Sequence, residues 1–166
     1  MTYSIKGLKT FSGMEGQGLN ATLLRDGKPV AFVLDEGYGG EMRFDFRNPG
    51  QSPASYKATS TKQARKEEQA FQSFATHWLE ECGDSEERKL IGSPSFVREV
   101  FVGSLVDAEL NRRRFDRLSK KKTLFRLKGS KPHEWRTISV PYGPSVQAFL
   151  DKKYPGQIEA IWGVQK

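Results

Sequence analysis

The sequence predicts an α+β fold, in which an N-terminal antiparallel β-meander packs with helices and is followed by a C-terminal β-hairpin and short helices. Nine of the 16 glycines lie in the first 50 residues and separate short apolar stretches, which is typical of strands joined by turns. After position 61, apolar residues recur at helical spacing, and after position 122 β-branched and aromatic residues return. A length of 166 residues suits one domain. We predict a single domain, 1–166, comprising a β-meander (1–47), a helical part (62–122) and a hairpin with short helices (123–166).

The meander contains one strong turn signal and one clear alternation. Asp26 and Gly27 favour a tight hairpin, because both central residues of such a turn must tolerate a positive φ. Farther on, Met42, Phe44 and Phe46 alternate with charged residues, so one face of that strand is expected to be buried against helices. The predicted strands are 4–11, 18–25, 29–35 and 41–46.

Two long helices are predicted after a polar, proline-containing surface connection at 48–61. The first has its N-cap at Ser60 or Thr61 and runs to Cys82, where Gly83 can end it. Its apolar stripe, expected to face the sheet, consists of Phe71, Phe74, Ala75, Trp78 and Cys82.

The second long helix is predicted to begin at Ser93-Pro94, because serine is a good N-cap and proline suits the first helical position. The charged stretch before it, 84–92, is expected to be a short helix or a loop. Beyond Asn111 the surroundings change from apolar to basic. The helix therefore has a buried first half and a charged second half, or is broken at this change.

The C-terminal part is predicted to form a hairpin from strands 123–128 and 134–140, with 129–133 as its loop. Pro144 can open a last pair of short helices. The second helix of that pair is expected to carry Ile158, Ile161 and Trp162.

Charge is the most informative feature for function, because it is concentrated in residues 112–136. Eleven of the 27 Lys and Arg residues lie there beside only Asp116 and Glu134, a balance of +9, whereas the rest of the chain carries −2. Clustered basic charge is typical of polyanion contact, although a solvated charged face is an equally weighted alternative. The candidate nucleic-acid or polyanion contacts are Arg112, Arg113, Arg114, Arg117, Lys120, Lys121, Lys122, Arg126, Lys128 and Lys131.

Aromatic residues are interleaved with these cations. Phe115, Phe125 and Trp135 could stack on bases, as aromatic side chains do in single-strand-binding proteins. Their spacing also suits an ordinary core, and we assign them to the core.

Signals for catalysis, metal or cofactor binding are weak. His77 and Glu81 are four residues apart and can share a helical face, but two ligands do not make a zinc site. Cys82 lies on the apolar stripe and is expected to be a small buried hydrophobe, although a nucleophile assembled with His133 stays open. We predict no catalytic residues, metal or cofactor, and an enzyme is the less favoured reading.

Two further motifs match the spacing of known sites without their context. The G-x-x-G-x-G run at 13–18 precedes a strand rather than opening a helix, so turn or bulge glycines explain it better than phosphate binding. The E-x-K sequence of Glu87 and Lys89 occurs in nuclease cores, but here it has no strand character and is expected to be a solvated helix face.

Composition indicates a cytoplasmic protein. Cys82 is the only cysteine, so no intramolecular disulfide is possible. No opening segment resembles a secretory signal, and no apolar run approaches the ~18–20 residues that cross a bilayer. We expect no membrane partner.

Long stretches of the chain resemble small accessory proteins of bacterial plasmids and phages. The likeness lies in KKKTLFRLKGSKPHEWRTISVPYG, in VQAFLDKKYPGQIEAIWG and in the N-terminal SIKGLKTFSGMEGQGLNATLLRDGKPVAFVLD. It implies no fold, activity or site residue. What it implies is a setting in which small binding proteins act on host replication, regulation or defence machinery.

Three hypotheses for function follow. The first is a non-enzymatic mobile-element accessory protein that binds nucleic acid or a nucleoprotein complex through a basic surface. The second is a protein-directed inhibitor or adaptor, whose cations meet an acidic surface on a host enzyme, for example a defence enzyme. The third is a small enzyme whose site is not recognisable from sequence.

Overall fold

The structure is a computed structural model of the chain, and it describes residues 1–50, 59–131 and 134–164. Most of the predicted connection at 48–61, and His133 in the predicted hairpin loop, lie outside the described residues. The fold is α+β, as predicted. Its elements are β1 (Tyr3–Ser12), β2 (Gln17–Arg25), β3 (Lys28–Asp35), β4 (Arg43–Asp45), α1 (Thr61–Cys82), α2 (Ser85–Lys89), α3 (Pro94–Ser119), β5 (Thr123–Leu127), β6 (Arg136–Ile138), α4 (Pro144–Lys153) and β7 (Ile158–Ile161).

Contacts within the chain divide it into two compact units, Met1–Glu109 and Leu110–Lys166. The division falls inside α3, ahead of position 123, where the sequence analysis places the start of its C-terminal subregion. We call these the first and the second unit.

The sheet of the first unit is an antiparallel meander in the order β1-β2-β3-β4. Asp26 and Gly27 form the turn between β2 and β3 with φ of 49° and 77°, which confirms the predicted hairpin. The fourth strand is shorter than predicted, but its alternation is confirmed: Phe46 is buried, and Met42 and Phe44 pack on the core.

Aromatic side chains make the centre of the first core. Phe71 on α1 is fully buried, and its ring lies 5.2 Å from Tyr3, 5.6 Å from Phe44 and 5.9 Å from Phe101, measured between ring centroids. Helix α1 therefore packs its apolar stripe on the sheet, as expected from its 3.6-residue period.

The predicted ends of α1 are confirmed. The Ser60 hydroxyl accepts a hydrogen bond from the Gln63 backbone N–H, and Gly83 follows the last helical residue. Gly83 has a φ of −65°, so the backbone conformation does not require glycine there; the lack of space for a side chain does. A Cβ there would come within 2.5 Å of the Leu79 carbonyl oxygen.

The prediction that Cys82 is buried is wrong. Its side chain is exposed, because it is the final residue of α1 and the helix has already reached the edge of the core. Leu79, which is fully buried, is the last side chain of the stripe within the core.

The stretch predicted as a short helix or a loop contains a short helix, and the predicted second long helix is present. Helix α2 begins with a capping box, in which Asp84 accepts from the Glu87 backbone N–H and Glu87 accepts from that of Asp84. Helix α3 begins at Pro94 and is unbroken through Asn111 to Ser119, so the change from apolar to basic surroundings does not end it.

The second unit contains a three-stranded antiparallel sheet in the order β6-β5-β7. The predicted hairpin is confirmed, because β5 pairs with β6. The prediction of a helix around Ile158 and Ile161 is wrong, since this segment is strand β7. The spacing of three residues looked helical, but an irregularity leaves Glu159 without a partner in the register and turns both isoleucines to one cluster.

Helix α4 covers one face of this sheet. Proline at its first position, Pro144, was predicted and is present. Val146 and Leu150 of α4 form a small buried cluster with Phe125 of β5, and Ile158 and Ile161 pack against it.

Candidate nucleic-acid interface

All ten predicted contact residues lie in the second unit. Four are in the last turns of α3, three follow its end, one is in β5 and two are in the turn and loop after β5. Eight of the ten are exposed, and Arg113 and Arg126 are half-buried. We call this set the basic surface; its members are Arg112, Arg113, Arg114, Arg117, Lys120, Lys121, Lys122, Arg126, Lys128 and Lys131.

One face of α3 combines arginines with an exposed apolar residue. Leu110, Arg113 and Arg117 are spaced by three and four residues, so they share a face. They line a concavity of about 430 Å³. Leu110 is exposed there, so this part of α3 presents an apolar side chain to solvent beside two arginines.

Three lysines stand at the C-terminal end of α3. The backbone N–H groups of Lys121 and Lys122 both donate to the Leu118 carbonyl oxygen, at 2.9 Å each, and this closes the helix. The C-terminus of a helix dipole is negative, so cations are favoured there. Lys120, Lys121 and Lys122 are thus exposed and held in place by an ordered backbone.

Arg112 and Arg126 contact acidic partners. Arg112 lies 2.7 Å from Asp116 one turn along α3. Arg126 donates to both carboxylate oxygens of Glu159, at 3.2 Å and 2.8 Å, and its guanidinium lies 5.4 Å from the centre of the Trp135 ring. Arg126 is therefore engaged in holding β5, β7 and Trp135 together as well as contributing charge.

A cluster of three aromatic rings anchors the end of α3 within the second unit. Phe115 lies 5.9 Å from Trp135 and 5.1 Å from Trp162, and the two tryptophan rings are 5.3 Å apart. The Trp162 Nε1–H donates to Asp116 at 3.0 Å. These rings are half-buried, whereas Phe125 is in the core beneath α4 as predicted. The basic residues of α3 are thus carried by a packed helix.

The difference in net charge between the two units is larger than the difference between residues 112–136 and the rest of the chain. Residues 110–166 contain 14 basic and four acidic side chains, a balance of +10, while residues 1–109 contain 13 basic and 16 acidic, a balance of −3. The second unit can pair at most four of its cations one to one with its own carboxylates.

The structure describes the weak catalytic candidates His77, Glu81, Cys82, Glu87 and Lys89, whereas His133 lies outside the described residues. His77 is exposed and contacts Glu81 at 3.3 Å, which confirms their shared helical face. Glu87 and Lys89 lie on exposed α2, as predicted, and Lys89 pairs with Glu86. Within the described residues, no group of three or more His, Cys, Asp or Glu side chains is placed to hold a metal ion.

Two glycines of the G-x-x-G-x-G run, Gly13 and Gly16, lie in the β1–β2 turn as predicted, whereas Gly18 is in strand β2. Gly13 donates its N–H to the Gly16 carbonyl oxygen at 2.7 Å. A Cβ on Gly13 would meet the Gly37 carbonyl oxygen at 2.4 Å, so close backbone approach explains this glycine.

Sequence reasoning missed a buried ionic cluster in the first unit. Glu67 of α1 is buried, contacts Arg25 at 2.8 Å and accepts from the Gln63 amide at 2.7 Å. Its second oxygen and the Tyr3 hydroxyl are buried without a hydrogen-bond partner among the described residues. Burial raises the pKa of Tyr3, while the Arg25 cation opposes this. A signal was present, since Glu67 sits at helical spacing between Ala64 and Phe71.

The second feature that was missed is a cavity of about 340 Å³ in the second unit. It is lined by apolar side chains of β7 and its surroundings and by polar side chains of α4 and the segment before it. No sequence signal marked it, because Tyr142 and Ile161 are distant in sequence and the β7 segment was predicted as a helix. The lining residues are Tyr142, Gln147, Asp151, Gly156, Ile158, Ile161 and Val164.

Comparisons of the chain with protein-family models, with curated proteins and with solved structures found no match. None of the helices in the described part of the chain is both long and apolar enough to cross a membrane. The geometry and charge of the two units therefore carry the functional argument.

Proposed function

We propose that this is a non-enzymatic binding protein whose basic surface contacts nucleic acid or a nucleoprotein complex. The observation that supports it is the excess of charge on one unit: 14 basic and four acidic residues lie in residues 110–166, with seven of those cations at or just after the end of α3. The resemblance to plasmid and phage accessory proteins suits such a role, and we include a cytoplasmic setting in the proposal.

The physical basis is counterion release. Each Lys or Arg that neutralises a phosphate releases condensed cations, so binding strengthens and becomes sensitive to salt. Lys120, Lys121 and Lys122 are exposed at an ordered helix end, and Arg113 and Arg117 share a face of α3. Such a surface follows phosphates without reading sequence.

The test is fluorescence anisotropy of labelled duplex and single-stranded oligonucleotides, titrated with the full-length protein over a range of salt concentrations. In the test variant Lys120, Lys121 and Lys122 are all replaced by Gln. We expect weaker binding and a log–log salt slope that is shallower by about 0.9 per lost duplex contact, or about 0.7 for a single strand.

A matched control removes three exposed cations from α1 of the first unit, by changing Lys62, Arg65 and Lys66 to Gln. Both variants lose three positive charges, so a difference between them reports where the charges lie rather than how many there are. It should keep the wild-type slope. The proposal fails if the wild-type protein binds neither duplex nor single strand at low salt, or if both variants lose the same affinity.

A second function, an inhibitor or adaptor that binds an acidic protein surface, is favoured by one observation. Leu110 is exposed in the concavity beside Arg113 and Arg117, and an apolar residue adds nothing to phosphate contact. An acidic protein surface with an apolar centre would use all three. Recovery of a defined protein from lysate after nuclease treatment, lost on Leu110→Asp, would support it over nucleic-acid binding.

A further inference from the structure

The cavity of about 340 Å³ in the second unit has two chemically different walls. Ile158, Ile161 and Val164 make one wall apolar, while Tyr142 and Asp151 belong to the polar one. Its volume is at the small end of the range for small-molecule sites, about 300–1,000 Å³, so it fits one compact group.

The polar wall is a chain of oriented hydrogen bonds. The Tyr142 hydroxyl donates to Gln147 Oε1 at 2.7 Å, and Gln147 Nε2 donates to Asp151 Oδ1 at 2.7 Å. The carboxylate determines the orientation of the amide, because a flipped Gln147 would place its oxygen against the Asp151 oxygen. One N–H of Gln147 and the second oxygen of Asp151 have no further hydrogen-bond partner among the described residues, so they can meet a ligand.

A ligand for this cavity needs a flat apolar body, a donor for the carboxylate of Asp151 and an acceptor for the N–H of Gln147. We propose that the cavity binds one unpaired nucleobase that presents an N–H donor beside an acceptor, as the amino group and N3 of cytosine do. The ring would lie against Ile158 and Ile161 beside Tyr142, and the amino group would donate to Asp151. Carboxylates accept from the cytosine amino group in known base readout, and unpaired bases pack between aromatic and apolar side chains.

Two lysines are close to residues that line the cavity, and we assign them to the phosphates that flank a bound base. Lys152 follows Asp151 directly on α4. The Lys128 backbone N–H donates to the Gln157 carbonyl oxygen at 2.8 Å, which places Lys128 next to the turn that contains Gly156. Lys128 also belongs to the basic surface, so the inference rests on the proposed function and deepens it: the substrate is single-stranded at the bound base.

The test compares three single strands of equal length and charge in anisotropy titrations with the full-length protein. One is entirely abasic, one carries a single central cytosine and one a single central N3-methylthymine, whose ring has acceptors but no N–H donor. We expect the cytosine strand to bind about tenfold more tightly than the abasic strand, the size of one base–aromatic contact with its hydrogen bonds, and the N3-methylthymine strand, which has no donor for Asp151, to bind less tightly than the cytosine strand.

Asp151→Asn separates this proposal from simple electrostatics, because the two predict opposite changes. Removing a negative charge should leave binding of the abasic strand unchanged or slightly tighter. The preference for cytosine over N3-methylthymine should be lost, because the amide can present an N–H where the carboxylate accepted. Glu134→Gln, which removes the same charge from an exposed residue that does not line the cavity, should keep the preference.

Tyr142→Ala provides a second check, since Tyr142 is exposed and its removal should not unfold the unit. It should bring both base-bearing strands toward the affinity of the abasic strand. Equal, salt-sensitive binding of all three strands by the wild-type protein would overturn the cavity proposal and leave the proposed function standing. Absence of binding to any strand at low salt would overturn the proposed function itself.

Discussion

The two units use their charged side chains in different ways. In the first unit cations and carboxylates are nearly balanced and pair with one another, as in Arg25 with Glu67 and Arg98 with Glu68. In the second unit 14 cations face only four carboxylates, and two of those, Asp116 and Glu159, already bind arginines. Like charges at this density repel within a folded unit. An external anion would relieve that repulsion, which is why the second unit is the better candidate for a binding surface.

The hydrophobic cores of the two units also differ. The first core surrounds a fully buried Phe71, whereas the second combines a small aliphatic cluster around Leu150 with three half-buried aromatic rings. A small core of this kind contributes less stability. Because a ligand that binds only the folded state adds to its stability, the second unit should be stabilised by nucleic acid and the first much less.

The largest expected effect that tests this difference is Phe71→Ala. It removes a ring that contacts four others, and deletion of a buried Phe costs about 3–5 kcal/mol of the free energy of unfolding. Urea denaturation measures the loss, and hydrogen exchange should place it in strands β1 to β3. Phe125→Ala in the second unit should cost less, about 3 kcal/mol, because fewer neighbours surround the ring. Equal losses would mean that the cores do not differ as described.

Sequence patterns predicted the first unit well because its signals are local. The Asp26-Gly27 turn, the Ser60 cap and the apolar period through Phe71 each specify their own few residues, and all three are present. The class of fold follows from adding such signals. The buried Glu67 was missed although its spacing was visible, because burial of a carboxylate depends on a partner, Arg25, that is 42 residues away.

The second unit was harder to predict because its pairings are not local. The spacing of Ile158 and Ile161 is helical, and only pairing with β5, with its register irregularity, makes the segment a strand. The basic surface itself was visible from composition. Which cations are tied to acids was not, since Arg126 meets Glu159 across the sheet.

Arg25→Met is expected to have the next largest effect and tests whether ion pairs in the first unit are structural. It leaves the buried carboxylate of Glu67 without its cation, a change that costs about 3 kcal/mol at the lower end of the range for broken buried pairs. Arg43→Met is the matched control, because its pair with Glu36 is largely exposed and is worth under about 0.5 kcal/mol. Chemical denaturation at neutral pH separates the two. Similar small losses would show that the Arg25 pair is solvated in practice.

The smallest expected effect distinguishes cations of the second unit that hold the fold from those available to a ligand. Arg126→Met removes the contacts with Glu159 and Trp135, so it should lower the free energy of unfolding by about 1 kcal/mol and shift tryptophan fluorescence. Lys128→Met, at an exposed position, should change stability by less than about 0.5 kcal/mol and make the salt slope of single-strand binding shallower by about 0.7.

The free energy of unfolding and the salt slope, measured for both variants, distinguish the two roles. We expect stability to change in Arg126→Met and the salt slope to change in Lys128→Met. If Arg126→Met leaves stability unchanged and lowers the slope as much as Lys128→Met does, the guanidinium reaches the ligand despite its contact with Glu159. Arg126 would then belong to the cations of the second unit that are available to a ligand. If instead Arg126→Met changes only stability, Arg126 stabilises the sheet and does not contact the ligand. The binding surface is then confined to the end of α3 and the lysines beyond β5.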